Sequence, residues 1–263
     1  MSYNPTVWKN GDLITAEKLN KLENGLRDME LTPGPEGPQG PQGPPGPSGE
    51  MVDKLSGKLV LMMGDSLMQG GKWDGGFANC IKENHPTATV INLGKDGKHL
   101  IDGEIGAQIM EWRSQNSGVT PDIVIVNGGG NDFLDSKELG TPALDNTEPL
   151  NNLDTVCSAL DTMFWYIFDR YPTTRIFFIT GPLIAKIETI PAPEVQLQYY
   201  DALRKVCEKF GVPVIDLTKN AQIPPSVTTL CKKYYDTDPI HLNEAGYRSF
   251  LYNSNIGNPM KGG

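Results

Sequence analysis

Long apolar runs, paired cysteines and basic clusters are all scarce in this chain of 263 residues, and each scarcity closes off a class of function. No stretch reaches the roughly eighteen consecutive apolar residues that a bilayer-spanning helix needs, so membrane insertion is not expected. The four cysteines, Cys80, Cys157, Cys207 and Cys231, are widely spaced and contain no Cys-x-x-Cys pair, which leaves a zinc site or redox motif without support. Cys157 and Cys207 fall within amphipathic helical patterns and read as small core residues with free thiols. Lys and Arg number 23 against 32 Asp and Glu, a formal charge of −9, whereas binding to a phosphate backbone needs clustered cations. Nucleic acid is therefore not an expected partner. With three histidines and no His/Asp/Glu group at metal-ligand spacing, neither a metal nor a cofactor is expected. The opening Met1-Ser2-Tyr3-Asn4-Pro5 has neither a basic nor an apolar signal region, so Sec secretion is not expected either.

What is present divides at a sharp shift of composition near residue 50. Residues 1–31 form a leading segment with a short helix, 32–50 a repeat, and 51–263 one globular domain of ordinary size. From Gly34 to Gly49 a glycine recurs at every third position, and proline follows each of the first five. Only glycine fits the crowded axis of three wound polyproline chains, so this period predicts a collagen-like triple-helical stalk and hence a homotrimer. The rod would be about 50 Å long at about 3 Å per residue. A flexible Pro/Gly linker is the competing reading, but a linker has no need of a strict period. In front of it Leu19, Leu22, Leu26 and Met29 are spaced 3, 4 and 3, with Thr15 as N-cap, a stripe suited to a trimeric bundle or to packing on the globular domain.

In the globular part, apolar runs at Leu59–Met63, Thr89–Leu93, Ile123–Asn127, Arg175–Thr180 and Val212–Asp216 read as buried parallel strands. Helical patterns alternate with them. One runs through Leu153, Val156, Leu160, Met163, Phe164, Ile167 and Phe168 and stops before Pro172; another runs from Glu194 to Phe210 and stops at Gly211. Strict alternation predicts an α/β three-layer sandwich around a five-stranded parallel sheet. Functional loops in such sheets gather at the carboxyl ends of the strands.

Four segments lie at those ends: Gly64-Asp65-Ser66-Leu67, Asn92-Leu93-Gly94-Lys95-Asp96-Gly97, Gly129-Gly130-Asn131-Asp132 and Asp238-Pro239-Ile240-His241. Together they hold a hydroxyl nucleophile, oxyanion donors, and a base with its orienter. Each has a plainer reading: Ser66 as a helix cap, Asn131 and Asp132 as a turn, His241 as a structural histidine, Gly97 as a backbone need. Asp65 reads as a tie within its loop. His85 and His99 read as surface residues. The elbow Gly-x-Ser-x-Gly of α/β-hydrolases is absent around Ser66.

In their order the four segments resemble the Ser, Gly, Asn and His blocks of the SGNH (GDSL) hydrolases, over roughly Lys58 to Asn253. The resemblance implies a flavodoxin-like strand order and a serine esterase. It implies Ser66, His241 and Asp238 as catalytic residues, with an oxyanion hole from Ser66, Gly97 and Asn131. Gly94 is the alternative to Gly97. The pair between Asp238 and His241 is Pro-Ile, where a small polar pair is commoner in the family. Separately, Val7 to Asn20 is similar to the attachment segments of tail-fibre proteins of phages of Gram-positive bacteria, which collagen-like repeats often follow. That resemblance implies a virion protein assembled in the host cytoplasm, joined by its N-terminus to a tail or baseplate protein and acting on a host cell-surface polysaccharide. The expected function is a tail-associated esterase removing O-acetyl or similar acyl groups. The alternative is a receptor-binding module on the same scaffold, with Trp73, Phe133, Tyr234 and Tyr235 available for sugar stacking. Thioesterase and lysophospholipase activities suit the same site, while a bacterial collagen-like adhesin would need an export signal and an anchor.

Overall fold

A computed structural model of the protein describes residues 4–27, 54–145, 148, 150–184, 193–220, 228–238 and 240–253. The glycine period at 34–49 and Met29 lie outside the described residues. Packing divides the chain into two units, Met1–Glu50 and Met51–Gly263. In the first, helix α1 spans Ala16–Arg27, and the Thr15 hydroxyl accepts the Lys18 N–H at 3.4 Å in the manner of an N-cap. Leu19, Leu22 and Leu26 form an exposed apolar stripe along it.

The second unit is built on five parallel strands, β1 Leu59–Met63, β2 Thr89–Asn92, β3 Ile123–Asn127, β4 Arg175–Ile179 and β5 Val214–Ile215, in the order β2-β1-β3-β4-β5. This is the doubly wound order that reverses direction at β1 and β3 and opens a crevice between their carboxyl ends. Val60 stands opposite Val90 on one side and Ile123 on the other, so β1 is central and fully hydrogen-bonded. Because side chains alternate across a strand, the apolar run LVLMM feeds both faces. Leu61 and Met63 join Val124, Val126, Ile176 and Phe178 in one core, and Val60 and Met62 join Ile125, Phe177 and Ile179 in the other.

Helices cover both faces, giving three layers. The first core is closed by α4 Glu104–Gln115, α6 Val156–Arg170 and α7 Pro193–Lys209, and the second by α2 Ser66–Gln69, α3 Gly76–Asn84, α8 Leu217–Asn220 and α10 Glu244–Asn253. Two further short α-helices, α5 Gly130–Leu134 and α9 Thr228–Tyr234, and a 3-10 turn at Ile101–Gly103 lie among the described residues. A capping box in which Thr155 and Ser158 exchange hydrogen bonds starts α6, so Leu153, expected on its stripe, lies ahead of the helix and is exposed. Helix α7 is followed by Gly211 at φ +63°, a backbone conformation that favours glycine. Strand β5 is shorter than the expected Val212–Asp216. Pro213 has no N–H to give the ladder, its carbonyl accepts from Phe178, and the Val212 N–H turns back to Cys207. Cys80, Cys157 and Cys207 are buried free thiols and Cys231 is half-buried.

Phe164 is fully buried on α6, its ring edge-on to Phe210 at 5.5 Å. Phe164→Ala is expected to cost about 3–5 kcal/mol of unfolding free energy in urea titration; a loss below about 1 kcal/mol would show that the α6 face is not part of the cooperative core.

Candidate active site

Strand β1 ends at Met63 and the chain turns straight into α2. A Cβ at Gly64 would lie 2.8 Å from the Asn127 carbonyl oxygen, so only glycine lets the ends of β1 and β3 come this close. The Gln108 side chain clasps Gly64 from the other side, accepting its N–H at 2.8 Å and donating to its carbonyl at 2.7 Å. Asp65 is the N-cap of α2, and its Oδ1 accepts the Leu67 N–H at 2.9 Å. Capping therefore falls to Asp65, which leaves the Ser66 hydroxyl without that duty. Ser66 is the first residue of the helix, and its own N–H has no partner among the described residues, as expected for a first-turn donor.

The second half of the site arrives 175 residues later. An isolated antiparallel bridge between Tyr235 and Leu242 pins a loop over the sheet edge. Within it Asp238 Oδ1 accepts the N–H groups of Ile240 at 2.9 Å and His241 at 2.7 Å, while Oδ2 faces His241 Nδ1 at 2.9 Å. His241 Nε2 lies 3.0 Å from Ser66 Oγ. With Nδ1–H donating to the carboxylate, Nε2 is the acceptor that faces the hydroxyl proton. Partial burial works against the Asp238 charge, but the hydrogen bonds from the His241 ring and from two backbone N–H groups outweigh it and hold the carboxyl below the usual range.

The remaining two segments flank this line. Asn92 donates to the Met68 carbonyl at 2.8 Å and accepts the Gly94 N–H at 3.0 Å, holding the loop after β2 against α2. The Gly94 N–H is thus engaged, and a Cβ there would stand 2.6 Å from Gln69 N. Gly97 is different: it is exposed, at φ +70°, and its N–H has no partner among the described residues. Of the two alternatives Gly97 has the uncommitted donor, although neither cavity beside Ser66 is lined by Gly97 itself and only the wider one is lined by its neighbour Asp96. Asn131 lies on α5 and lines one cavity together with Ser66 and His241. Its Nδ2 donates to the Lys98 carbonyl at 3.0 Å, leaving the second amide hydrogen for another acceptor.

Several residues have roles that the sequence did not disclose. Asp132 is fully buried, and its two oxygens accept the N–H groups of Leu100 and Ile101 at 3.0 Å each. His99, expected at the surface, has a side chain only 16% exposed and touches a carboxylate at each ring nitrogen, Glu104 Oε2 at 3.1 Å and Asp135 Oδ2 at 2.8 Å. Its neighbour Glu104 also accepts Lys98 Nζ at 2.8 Å and is held down to about 2, chiefly by that lysine. The aromatic rim is not what the sequence suggested. Phe133 and Tyr235 are buried, and Tyr235 donates to the Leu183 carbonyl. Trp73 packs on Tyr247 and under the Arg248 guanidinium, and Tyr234 lies beneath Lys233. Among the described residues no group of three metal-ligating side chains is assembled.

Two unequal spaces open on either side of the Ser66–His241 contact. One, of about 30 Å³, is bounded by Ser66, Asn131, Leu134, Pro182, Tyr200 and Ile240. The other, of about 250 Å³, is bounded by Ser66, Gln69, Gly71, Lys72, Asp96 and His241.

Comparison with known proteins follows the same residues. The model of the GDSL-like lipase/acylhydrolase family matches residues 62–249. The chain is 26% identical over 201 residues to a GDSL esterase/lipase, CPRD49, from Arabidopsis thaliana, covering 71% of this chain and 73% of that one. In fold it is similar to a protein from Lactobacillus plantarum, with a TM-score of 0.63 at 20% identity over 76% of this chain and 95% of that one. It is likewise similar to a member of the lipolytic protein G-D-S-L family from Veillonella parvula DSM 2008, with a TM-score of 0.52 at 16% identity over 75% and 96%.

Asp65 provides a test of the site's electrostatics. Complete burial, opposed by the Leu67 N–H and reinforced by nearby Asp132, pushes its carboxyl up from 3.8 to about 6. The folded state then holds this proton more tightly than the unfolded chain, so stability is full at low pH and falls as pH rises through about 6. Asp65→Asn keeps an acceptor for Leu67 and removes the charge. Its melting temperature should exceed that of the parent at pH 7, with the gap closing as pH drops from 6 to 4. A variant that melts lower at pH 7 would show that the carboxylate is a net stabiliser.

Proposed function

Since this chain belongs to the GDSL-like lipase/acylhydrolase family and is a hydrolase of that type, we propose that Ser66, His241 and Asp238 form its catalytic triad. In this proposal the enzyme removes O-acetyl or similarly short acyl groups from a host surface glycan. The observation that carries the reading is the unbroken line from Asp238 Oδ2 through the imidazole to Ser66 Oγ, at 2.9 and 3.0 Å. Ser66 Oγ attacks the ester carbonyl as its proton passes to His241 Nε2, and the imidazolium so formed is stabilised by Asp238. The carbonyl oxygen gains the negative charge and is met by the N–H groups of Ser66 and Gly97 and the Asn131 amide. Collapse breaks the ester C–O bond, and the alcohol leaves with the proton from Nε2. Water then repeats the sequence on the acyl-serine and releases the acid. No step calls for a metal or cofactor.

The two spaces support the division of the substrate. The narrower space, about 30 Å³ beside Ser66 and Asn131, has room for an acetyl group. The wider side carries Lys72, Asp96 and Gln69, donors and acceptors that suit the hydroxyls of a sugar leaving as the alcohol. The receptor-binding alternative loses support, because two of the four rings it relied on are buried. The N-terminal segment and the glycine period support the rest of the proposal: a phage tail protein, homotrimeric through the collagen-like stalk and the exposed Leu19, Leu22 and Leu26 stripe, attached through its N-terminus to a tail or baseplate protein.

Chromogenic acetyl, butyryl and octanoyl esters test the reading, followed by acetate release from host wall polysaccharides. The acetyl ester should turn over fastest, Ser66→Ala should abolish turnover, and Asn131→Ala should cut kcat by about 10²–10³-fold with the fold intact. Turnover that survives Ser66→Ala would overturn the triad, and a preference for the octanoyl ester would overturn the short-acyl substrate.

A further inference from the structure

Gly97 poses a physical difficulty for the site just proposed. An oxyanion donor must be held within about 0.5 Å of its working position, yet nothing lies within 4 Å of where a Gly97 Cβ would stand. At φ +70° on an exposed loop, Gly97 has no packing of its own to fix the direction of its N–H. Its position must be imposed by its neighbours in the chain. On one side Asp96 donates its N–H to Gln69 Oε1 on α2 at 2.5 Å. On the other side the chain runs into a dense set of ties to α5, the helix that carries Asn131.

Those ties are ordered along the sequence. The Lys98 carbonyl accepts Asn131 Nδ2, His99 Nε2 meets Asp135 Oδ2, and the Leu100 and Ile101 N–H groups meet Asp132. Asp132 and Asn131 are the obvious members. His99 is the one that reaches both ways, because its other nitrogen and its backbone N–H both meet Glu104 Oε2, at 3.1 and 3.0 Å, at the first residue of α4. Each ring nitrogen thus has a carboxylate oxygen within hydrogen-bond reach.

We infer that His99 is a positioning residue of the esterase site: by bridging Glu104 and Asp135 it locks the Gly97–Lys98 segment to α5, so that the Gly97 N–H and the Asn131 amide keep a fixed separation. The inference rests on the reading of Gly97 and Asn131 as oxyanion donors. Its energetic signature follows from the setting. The Asp135 side chain is 58% exposed and the Glu104 side chain 34% exposed, so the bridge contributes little to global stability. Its effect is on the precision of two donors that act in the transition state, which is a kcat effect with KM unchanged.

The test is steady-state kinetics on a chromogenic acetyl ester, with melting temperatures, for the full chain and for His99→Ala, Asp135→Ala, the double variant, Asp135→Asn and Ser66→Ala. His99→Ala and Asp135→Ala should each lower kcat about 10- to 100-fold, with KM within twofold and melting nearly unchanged. The double variant should be no slower than the slower single one, because both break one bridge. Asp135→Asn, which keeps an acceptor, should recover most of the loss. A His99→Ala kcat within twofold of the parent, or losses that simply add in the double variant, overturns the inference. Should His99→Ala fail to fold, the contrast between Asp135→Ala and Asp135→Asn decides it at an exposed position. Full activity in the parent and none in Ser66→Ala, with no change in the bridge variants, refutes the positioning role alone. An inactive parent refutes the esterase reading, and the positioning role with it.

Discussion

One contact of 3.0 Å joins residues 175 positions apart, and the rest of the second unit can be understood as what makes it possible. A serine hydroxyl and an imidazole keep such a distance only if both backbones are fixed independently. On the serine side, β1 is paired on both flanks, and the turn after it is held from three directions, by Asn127, by Gln108 and by Asp65. On the histidine side, the Tyr235–Leu242 bridge sets the loop and Asp238 fixes the ring. A third link joins the halves directly: the buried Tyr247 hydroxyl on α10 donates to the Leu67 carbonyl on α2 at 3.0 Å. Helices α2 and α10 are thus tied to each other directly, as the preorganisation of a site built on both would demand.

Holding these loops has an electrostatic cost. Asp65 and Asp132 are both buried near the strand ends, and burial raises the carboxyl of each. Neither lies in the proposed proton path. Each accepts from the backbone of a loop that carries a proposed site residue: Asp65 Oδ1 from one N–H of the Ser66 turn, and both Asp132 oxygens from the segment after Gly97. A charged acceptor holds an N–H more strongly than a neutral one, and a strong tie in a low-dielectric setting fixes geometry that packing alone leaves loose. Stability is given up at these two positions, and the placement of two loops is what it supports.

The sheet was legible in the sequence because its strands are buried on both faces and so read as unbroken apolar runs. Four of the five expected strands begin at the observed residue, and the fifth was overextended because apolar character at Val212 and Val214 masked the missing donor at Pro213. Ser66, His241 and Asp238 were legible by type and order, and the carboxylate three residues before the histidine lies within reach on the same turn. His99 was not. Its partners stand 5 and 36 residues away, the farther at the end of another helix, and no local pattern distinguishes it from a surface histidine. The rim aromatics failed for the converse reason. Phe133 and Tyr235 stand beside site residues in the chain, but side chains next to a loop tip turn inward when the core beneath has room for them.

The shape of the site also bears on the proposed trimer. A narrow space lies beside Ser66 and Asn131, and a wider polar one beside Ser66, Lys72 and Asp96. A single domain of this kind has few hydrophobic anchors to hold a polysaccharide, now that its nearby rings are seen to be engaged elsewhere. If the glycine period from Gly34 to Gly49 winds three chains together, three such sites share one rod, and an ester-bearing polymer meets a second site at high local concentration once the first is occupied. Weak binding at each site is then compatible with residence on the polymer and still allows release after each cleavage.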